Sequence, residues 1–326
     1  MTSLHELIIQ NNLYFIFHNF ISMSLLVVGS VAFDAIETPF GKTDKIIGGA
    51  ASYISLAASY FTKNVNLVAV VGGDFPKSAI ETLQNHGVNT EGLQIKENEK
   101  SFFWSGKYRN DMNSRDTLVT ELNVLGTFDP IIPESYQNCD YLMLGNLAPA
   151  VQQTVLKRLT NRPKLVVMDT MNFWMDIAWD DLMATLKMVD VLCINDEEAR
   201  QLTKEYSLKK AAKAIHAMGP KYVIIKKGEH GALLFGEGRV FAAPALPLEE
   251  VFDPTGAGDT FAAGFIGYLA KKNSTSFDDM KQALIYGSAL ASFCVEKFGW
   301  EKLLELSETE VADRVQQFVT LTKFEV

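Results

Sequence analysis

The sequence of 326 residues is poor in cysteine, and its cysteines form no recognisable pair. Cys139, Cys193 and Cys294 are far apart in apolar surroundings, and no C-x-x-C spacing occurs. Neither a disulfide framework nor a cysteine-based zinc site is therefore indicated. Free cysteines in such surroundings are usually buried and unreactive, which predicts a protein of the reducing cytoplasm.

Positive charge is scarce as well. The 30 lysine and arginine residues are outnumbered by 39 aspartate and glutamate residues, which gives a formal net charge of -9. This balance argues against nucleic acid as the main partner. No apolar run is long enough to span a bilayer, so we expect no membrane association.

The first 22 residues differ from the rest of the chain. Residues 1–22 mix apolar and polar side chains and have neither the basic start nor the small-residue cleavage site of a secretory signal. The first strand-like run follows directly after Met23. We expect one domain over 23–326 and an N-terminal extension over 1–22. An appended helix, a disordered segment, a partner contact and an over-long start-codon assignment all stay open for this extension.

The best-known phosphate-binding motifs are missing. A Walker A loop needs G-x-x-x-x-G-K followed by Ser or Thr. Gly41, Lys42 and Thr43 supply its end, but Ile36 stands where the first glycine belongs. The H-R-D and D-F-G motifs of protein kinases are absent from the sequence too. Both of these phosphotransferase classes are therefore excluded.

Near-continuous apolar runs alternate with amphipathic stretches, which is typical of buried parallel strands and their covering helices. The predicted strands are 25–29, 65–71, 141–144, 165–168, 189–194 and 222–225. The predicted helices are 50–61, 76–86, 150–160, 177–188, 208–218, 257–271, 277–298 and 307–321. The alternation predicts an α/β fold, a three-layer α/β/α sandwich with a mostly parallel central sheet.

Two strand-like segments, 102–108 and 117–122, break this alternation. Antiparallel strands with one solvated face fit them best, and they predict a small β lid that includes about 100–123. An edge hairpin of the main sheet is the alternative. Three lid cations, Lys107, Arg109 and Arg115, are either solvated or bind a phosphate of the substrate. The lid is also a candidate surface for a homodimer.

The clearest chemical signal lies in segment 253–265. The small residues Gly256, Ala257 and Gly258 stand directly before an apolar, helix-forming run. Uncovered N–H groups and the helix dipole favour an anion at such a turn. Asp259 lies inside this turn, where a carboxylate repels phosphate. A role as the base that takes a proton from an attacking hydroxyl explains its presence, and a plain helix N-cap is the alternative.

Segment 253–265 resembles the C-terminal motif of the ribokinase-like (PfkB) carbohydrate kinases, and the resemblance extends over nearly all of 24–326. It implies a ribokinase-like fold, ATP and Mg²⁺ as ligands, and a hydroxyl of a small carbohydrate as acceptor. It also implies Asp259 as the base. The implied anion hole consists of Gly256, Ala257 and Gly258.

The same resemblance implies further ligand positions beside this turn. Some members of the family bind a monovalent cation such as K⁺ next to the anion hole. The matching residues here are Asp253 and Thr255.

Acceptor residues are implied in the N-terminal half. Asp34 follows the first predicted strand, at the sheet edge where open α/β folds bind ligands. Gly48 and Gly49 match paired glycines that let the backbone approach the sugar, although they also suit an ordinary helix start. Tyr53 stands where the family pattern usually has an asparagine, which argues against ribose or plain fructose as the acceptor.

Aromatic residues provide further acceptor candidates. Trp104 lies on the predicted lid, and Asn172, Phe173 and Trp174 follow the predicted strand 165–168. A flat ring at either place suits a nucleobase or the face of a sugar. We therefore include Trp104 and Asn172 among the acceptor-binding candidates.

Nucleotide-binding residues are implied after two later strands. Asn195 and Glu198 match the family's N-x-x-E motif, which tunes magnesium and phosphate binding largely through water, and the same spacing makes a helix capping box. Lys226, Gly228 and Gly231 match the loop beside the ATP phosphates, with lysine in place of the usual threonine. An exposed hairpin turn is the alternative for this loop.

The late helices are implied to form the adenine pocket. Gly287, Ser288 and Ala291 are its candidate wall residues, although small residues at helical spacing also serve packing. Ser288 is the residue we select for the nucleotide site.

The sequence thus predicts an ATP-dependent phosphotransferase whose first-choice acceptor is a sugar or sugar acid. A nucleoside kinase and a sugar-phosphate kinase of the same fold are the alternatives. A non-catalytic ligand-binding regulator that keeps this fold is a further alternative.

Overall fold

Strand β1 (Leu25–Val28) has alternate side chains in two separate hydrophobic cores. Leu25 and Val27 belong to one core, and Leu26 and Val28 belong to the other. A strand buried on both faces is the central strand of a three-layer arrangement. The computed structural model describes residues 23–323, so the expectations for residues 1–22 fall outside the part of the chain that it covers.

The remaining strands follow in chain order and are numbered accordingly. They are β2 (Ala32–Thr38), β3 (Gly41–Lys42), β4 (Ile46–Gly48), β5 (Val65–Gly72), β6 (Val88–Lys96), β7 (Phe102–Tyr108), β8 (Arg115–Glu121), β9 (Tyr141–Leu144), β10 (Leu165–Met168), β11 (Val191–Asn195), β12 (Tyr222–Lys226), β13 (Ala232–Gly236) and β14 (Arg239–Ala243).

The α-helices lie between and after these strands. They are α1 (Ala50–Ala58), α2 (Lys77–Asn85), α3 (Pro149–Arg158), α4 (Asn172–Ile177), α5 (Trp179–Leu186), α6 (Asp196–Thr203), α7 (Leu208–Met218), α8 (Ala257–Lys272), α9 (Phe277–Cys294), α10 (Glu301–Leu304) and α11 (Glu308–Thr322). Short 3₁₀ turns occupy Asn123–Thr127, Glu134–Tyr136 and Gly228–His230.

The main sheet has nine strands in the order β14-β13-β12-β11-β10-β9-β1-β5-β6. Its pairings are parallel from β12 to β6, and β13 and β14 are added antiparallel at one edge. Helices α1, α2, α8 and α9 cover one face, and helices α3 to α7 cover the other. The predicted three-layer fold with a mostly parallel sheet is confirmed.

Three strands of this sheet were not predicted, namely β6, β13 and β14. Strands β6 and β14 lie at the sheet edges, where exposed positions interrupt the apolar run that marks a central strand. The predicted helix over 177–188 corresponds to α5, which begins at Trp179, and the preceding helix α4 was not predicted. They are separated by Ala178, whose backbone (φ −138°, ψ 39°) is not helical.

A second sheet contains β3, β2, β7 and β8 in that order, and β4 pairs with β2 on the edge opposite β7, as β3 does. Strands β7 and β8 are antiparallel, as predicted for the lid, and β7 pairs with β2 instead of a main-sheet strand. The edge-hairpin alternative is therefore wrong. The expectation that Asp34 ends the first strand is also wrong, because β1 stops at Val28 and Asp34 lies on β2.

A short hydrogen-bonded segment explains why the chain leaves the main sheet after β1. The Ser30 hydroxyl accepts a hydrogen bond from the Ala50 amide (3.0 Å), and the Ser30 carbonyl accepts one from the Ala51 amide (2.9 Å). These bonds fix Ser30 to the start of α1 instead of a neighbouring strand. The chain can then cross into the lid sheet.

Among the described helices, none combines the length and apolarity that crossing a membrane requires.

Helices α8 and α9 approach each other closely at a pair of glycines. A Cβ added to Gly264 would lie 2.8 Å from the Cα of Gly287. Gly264→Ala should therefore force the two helices apart and lower the free energy of unfolding by about 1–3 kcal/mol. Denaturant unfolding measures this change. Gly126→Ala is the control, since its Cβ would meet only Leu122 at 3.5 Å; equal losses in the two variants would contradict the account.

Candidate active site

The turn before α8 has the geometry of an anion site. Gly256 is the N-cap of α8, with φ at 77°, and a Cβ there would lie 2.4 Å from Cε1 of Tyr53. Only glycine fits both the backbone conformation and this space. The Ala257 amide already donates to the Pro254 carbonyl (3.2 Å). The amide of Gly258, at the second helical position, is therefore better placed than that of Ala257 to receive an anion.

Asp259 is the third residue of α8, so the alternative that it is the N-cap is wrong. Its side chain is half-buried at the floor of a cleft. Burial raises the pKa of this carboxyl above its usual value, Asp169 raises it further, and Lys226 and Arg115 oppose the shift. A carboxyl with a raised pKa, close to an anion-binding turn, has the properties of a general base.

Lys226 brings a positive charge to the same turn. Its Nζ would lie 3.1 Å from a Cβ added to Gly258, and it donates a hydrogen bond to Oδ2 of Asp169 (3.0 Å). Burial lowers the pKa of Lys226, but Asp169 and other acidic groups nearby raise it by more. The ammonium therefore stays protonated. The loop after β12 is a hairpin turn whose residues 228–230 are exposed, as the alternative proposed, but Lys226 lies before it at the end of β12, and its side chain is only 15% exposed.

Asp169 is a site residue that the sequence analysis did not identify. It follows β10 directly and is 6% exposed. The signal was present, because an acidic residue immediately after a buried parallel strand lies at the ligand-binding edge of the sheet. Asp169 raises the pKa of both Asp259 and Glu198.

Asn195 and Glu198 form the predicted capping box at the start of α6. The Asn195 side chain accepts from the Glu198 amide (2.8 Å), and Glu198 Oε2 accepts from the Asn195 amide (2.8 Å). Glu198 is 4% exposed, and burial followed by Asp169 raises its pKa. Within residues 23–323 no group of three or more acidic, His or Cys side chains forms a ready metal cage. A lone carboxylate fits Mg²⁺ held mainly by water and phosphate.

Gly228 and Gly231 shape the loop beside Lys226. Both have positive φ, at 53° and 79°. A Cβ on Gly228 would lie 2.2 Å from Oδ1 of Asn113, which belongs to the turn between the lid strands β7 and β8. The lid tip therefore rests on the loop that the sequence assigned to the nucleotide.

Asp34 occupies the other side of the cleft. Its side chain is 5% exposed. Burial raises its pKa to about 7, although a hydrogen bond from the Gly49 amide lowers the pKa in part. A Cβ on Gly48 would lie 2.0 Å from Oδ2 of Asp34, so glycine lets the carboxylate approach the backbone. Gly49 is the N-cap of α1, with φ at 88°. A buried carboxylate with so few donors is suited to accept hydrogen bonds from ligand hydroxyls.

Trp104 is the register partner of Asp34 on the neighbouring lid strand. Partners in register project from the same face of a sheet, so the ring and the carboxylate are neighbours. The ring lies over Gly106, where a Cβ would come within 2.1 Å of Cη2. The indole N–H donates to Thr117 (3.3 Å), which orients the ring.

The three lid cations differ in their surroundings. Lys107 pairs with Glu37 (2.5 Å), and Arg109 pairs with Asp116 (2.8 Å). Arg115 makes no ion pair within the described part of the chain; its guanidinium lies 6.0 Å from the Trp104 ring and lowers the pKa of Asp259. Arg115 is therefore the lid cation that acts on the cleft.

Several predicted residues are placed differently from expectation. Tyr53 is 1% exposed and packs beneath Gly256, and its hydroxyl has no hydrogen-bond partner among residues 23–323. The Asn172 side chain donates to Gln201 of α6, away from Asp34. Ser288 is buried on α9, where the neighbouring Gly287 serves helix packing. These placements support the scaffold more directly than a ligand contact.

Asp253 stabilises the turn before α8 through hydrogen bonds to backbone amides. It is fully buried, and its two oxygens accept hydrogen bonds from the Thr255 amide (2.8 Å) and the Gly299 amide (2.9 Å). The Thr255 hydroxyl donates to the hydroxyl of Tyr108 at the end of β7 (3.2 Å). The turn is thus tied both to the C-terminal region and to the lid.

Comparisons with known proteins show similarity over most of this chain. Residues 23–305 match the pfkB family carbohydrate kinases. The cytidine kinase of Thermococcus kodakarensis is 33% identical over 253 residues, which cover 76% of this chain and 88% of that protein. The nucleoside kinase of Methanothermobacter thermautotrophicus is 27% identical over 307 residues, which cover 84% and 90%.

A solved structure shows the same fold. The Methanocaldococcus jannaschii nucleoside kinase, described as an archaeal member of the ribokinase family, aligns with a TM-score of 0.73 and 21% identity. The alignment covers 91% of this chain and 99% of that structure. At this identity the likeness establishes the architecture alone.

Asp34 should titrate at an unusually high pH for an aspartate. Asp34 has a pKa of about 7, so it is ionised above that pH and becomes protonated as the pH falls through it. Carboxyl carbon NMR of labelled aspartate measures the midpoint, and Asp34→Asn identifies the signal. Asp116, whose pKa Arg109 lowers, is the control that titrates in the acidic range. A midpoint near 3.8 for Asp34 would contradict its burial.

Proposed function

The chain belongs to the pfkB family of carbohydrate kinases, and on that basis we propose that it transfers a phosphoryl group from ATP to a ribose hydroxyl of a nucleoside. The observation that best supports phosphoryl transfer is the position of Asp259. The anion-binding turn and Lys226 lie on one side of it, and Asp34 lies on the other.

The reaction requires one proton acceptor and stabilisation of phosphate charge. Asp259 accepts the proton of the acceptor hydroxyl, whose oxygen forms a bond to the γ-phosphorus while the bond from that phosphorus to the β–γ bridging oxygen breaks and ADP leaves. The Gly258 amide and the Lys226 ammonium stabilise the charge on the transferred group. When bound, Mg²⁺ neutralises charge on the ATP phosphates, and Glu198 is the residue suited to hold it through water.

The acceptor side suits a ribose carrying a base. Asp34 accepts a hydrogen bond from the Gly49 amide and is otherwise free to accept those that the two neighbouring hydroxyls of a ribose would donate. Trp104 stands beside Asp34 and offers a flat ring to a nucleobase. The relatives named as cytidine and nucleoside kinases support this order of preference, which reverses the order proposed from sequence.

A sugar acid is the second candidate acceptor. Arg115 is a lid cation beside Trp104 that has no ion-pair partner among residues 23–323, and a guanidinium binds a carboxylate well. A sugar phosphate has less support, because Lys107 and Arg109 are already paired with lid carboxylates. A K⁺ site at Asp253 and Thr255 and a lid-mediated homodimer remain predictions from the sequence.

Asp259→Asn should abolish the proposed chemistry without preventing nucleotide binding. Losing a general base lowers the rate by about 10²–10⁴-fold. Coupled ADP release measures kcat, and equilibrium dialysis measures ATP binding. Asp279→Asn is the matched control, because Asp279 is the third residue of the next helix, α9, and its carboxylate accepts hydrogen bonds from Ser274 and Ser276 instead of from residues of the cleft. Near-normal turnover in Asp259→Asn would refute the base assignment.

The acceptor class is tested with a substrate panel and a lid variant. We expect ATP consumption with cytidine or another nucleoside to exceed that with ribose, sugar acids or sugar phosphates. Trp104→Ala should raise the KM for the nucleoside about tenfold, since aromatic stacking on a base contributes about 1–3 kcal/mol. Leu118→Ala, on the exposed lid strand β8, is the control. A sugar acid as the best acceptor would instead favour the second candidate.

A further inference from the structure

The pair formed by Asp169 and Lys226 crosses the nucleotide side of the cleft. Asp169 follows β10 and Lys226 ends β12, while β11 lies between them in the sheet. The Lys226 ammonium therefore reaches across the end of β11 to meet Asp169 at 3.0 Å. Because this contact joins the ends of β10 and β12 across β11, it fixes the direction of the long Lys226 side chain.

The position of the ammonium matters because acidic groups compete for it. Glu198 and Asp259 both interact electrostatically with Lys226, in addition to Asp169. If the ammonium moved onto Asp259, it would neutralise the base and withdraw from Gly258, where phosphate charge develops. Asp169 is the carboxylate that actually holds the ammonium by a hydrogen bond.

We propose that Asp169 is a positioning residue that holds the Lys226 ammonium against the anion-binding turn and away from the Asp259 carboxylate. The inference rests on the proposed phosphoryl transfer. Asp169 does not itself contact the transferred phosphate. Its effect on the reaction passes through the location of one ammonium group.

Other features of Asp169 agree with a fixed position. Its Oδ1 accepts a hydrogen bond from the Thr170 amide (2.7 Å), which leaves Oδ2 for Lys226. The Asp169 carbonyl accepts one from the Gln152 side chain (3.0 Å), and that side chain also donates to the Gly145 carbonyl after β9 (2.9 Å). The carboxylate is thus held by the strand ends and has no freedom to follow the lysine.

A double-mutant cycle tests whether Asp169 acts through Lys226. Asp169→Asn should lower kcat about tenfold to a hundredfold, the effect of a small misplacement of a catalytic group, and should change the KM for ATP less. Lys226→Met should lower kcat at least as much. In the Lys226→Met background, Asp169→Asn should have little further effect; independent, multiplying effects would overturn the proposal.

Conservative replacement and metal dependence separate positioning from other roles. Asp169→Glu keeps the negative charge and should recover part of the kcat lost in Asp169→Asn. The Mg²⁺ concentration for half-maximal activity should not change in Asp169→Asn. A large rise in that concentration, with Lys226→Met unchanged, would make Asp169 a metal ligand and would overturn the proposal.

A matched control is available at the opposite ends of the strands, just before β9 and β10 begin. Asp140 pairs with Lys164 at 3.0 Å, the same separation as the pair in the cleft. Asp140→Asn removes an Asp–Lys pair without touching the cleft, so its kcat should match that of the wild type. Thermal unfolding of every variant confirms that folded protein is being compared.

A structural readout does not depend on knowing the acceptor. In a crystal structure of Asp169→Asn without ligands, the Lys226 ammonium should leave Gly258 and approach Asp259 or Glu198. An unchanged lysine would overturn the proposal even if the kinase activity is established. Conversely, a wild-type protein that consumes no ATP with any acceptor of the panel would refute the proposed function and leave this result on Lys226 intact.

Discussion

The site depends on a carboxylate held where phosphate must bind. Asp259 lies in the first turn of α8, beside amides and an ammonium that attract anions, although its own charge opposes them. Burial and Asp169 favour its protonated form, while Lys226 and Arg115 favour the ionised form. The balance between these influences lets one side chain coexist with phosphate and still accept a proton.

The surrounding structure serves to bring two ligands to this carboxylate. The ends of β10, β11 and β12 supply Asp169, Asn195 and Lys226 on the proposed nucleotide side. The lid sheet supplies Asp34 and Trp104 on the proposed acceptor side, and its tip rests on Gly228. The lid also contacts the turn through a hydrogen bond between Tyr108 and Thr255, which connects the two proposed sites.

Much of this arrangement could be predicted from the sequence, because buried parallel strands and the Gly-Ala-Gly-Asp turn leave strong local patterns. Edge strands such as β6 could not be predicted, since exposed and half-buried positions interrupt their apolar pattern. The place of Asp34 on the lid sheet and the burial of Tyr53 beneath Gly256 depend on long-range packing, which no local pattern records. The Asp169–Lys226 pair spans 57 positions of the chain and appears only in the folded structure.

The central claim is that Asp259 joins the acceptor hydroxyl to the transferred phosphate. A crystal structure with a non-hydrolysable ATP analogue and the best acceptor of the panel tests it most directly. The account predicts one acceptor hydroxyl within about 3 Å of the Asp259 carboxylate and facing the γ-phosphate above Gly258. A reactive hydroxyl bound to another base, with Asp259 turned away from both ligands, would contradict it.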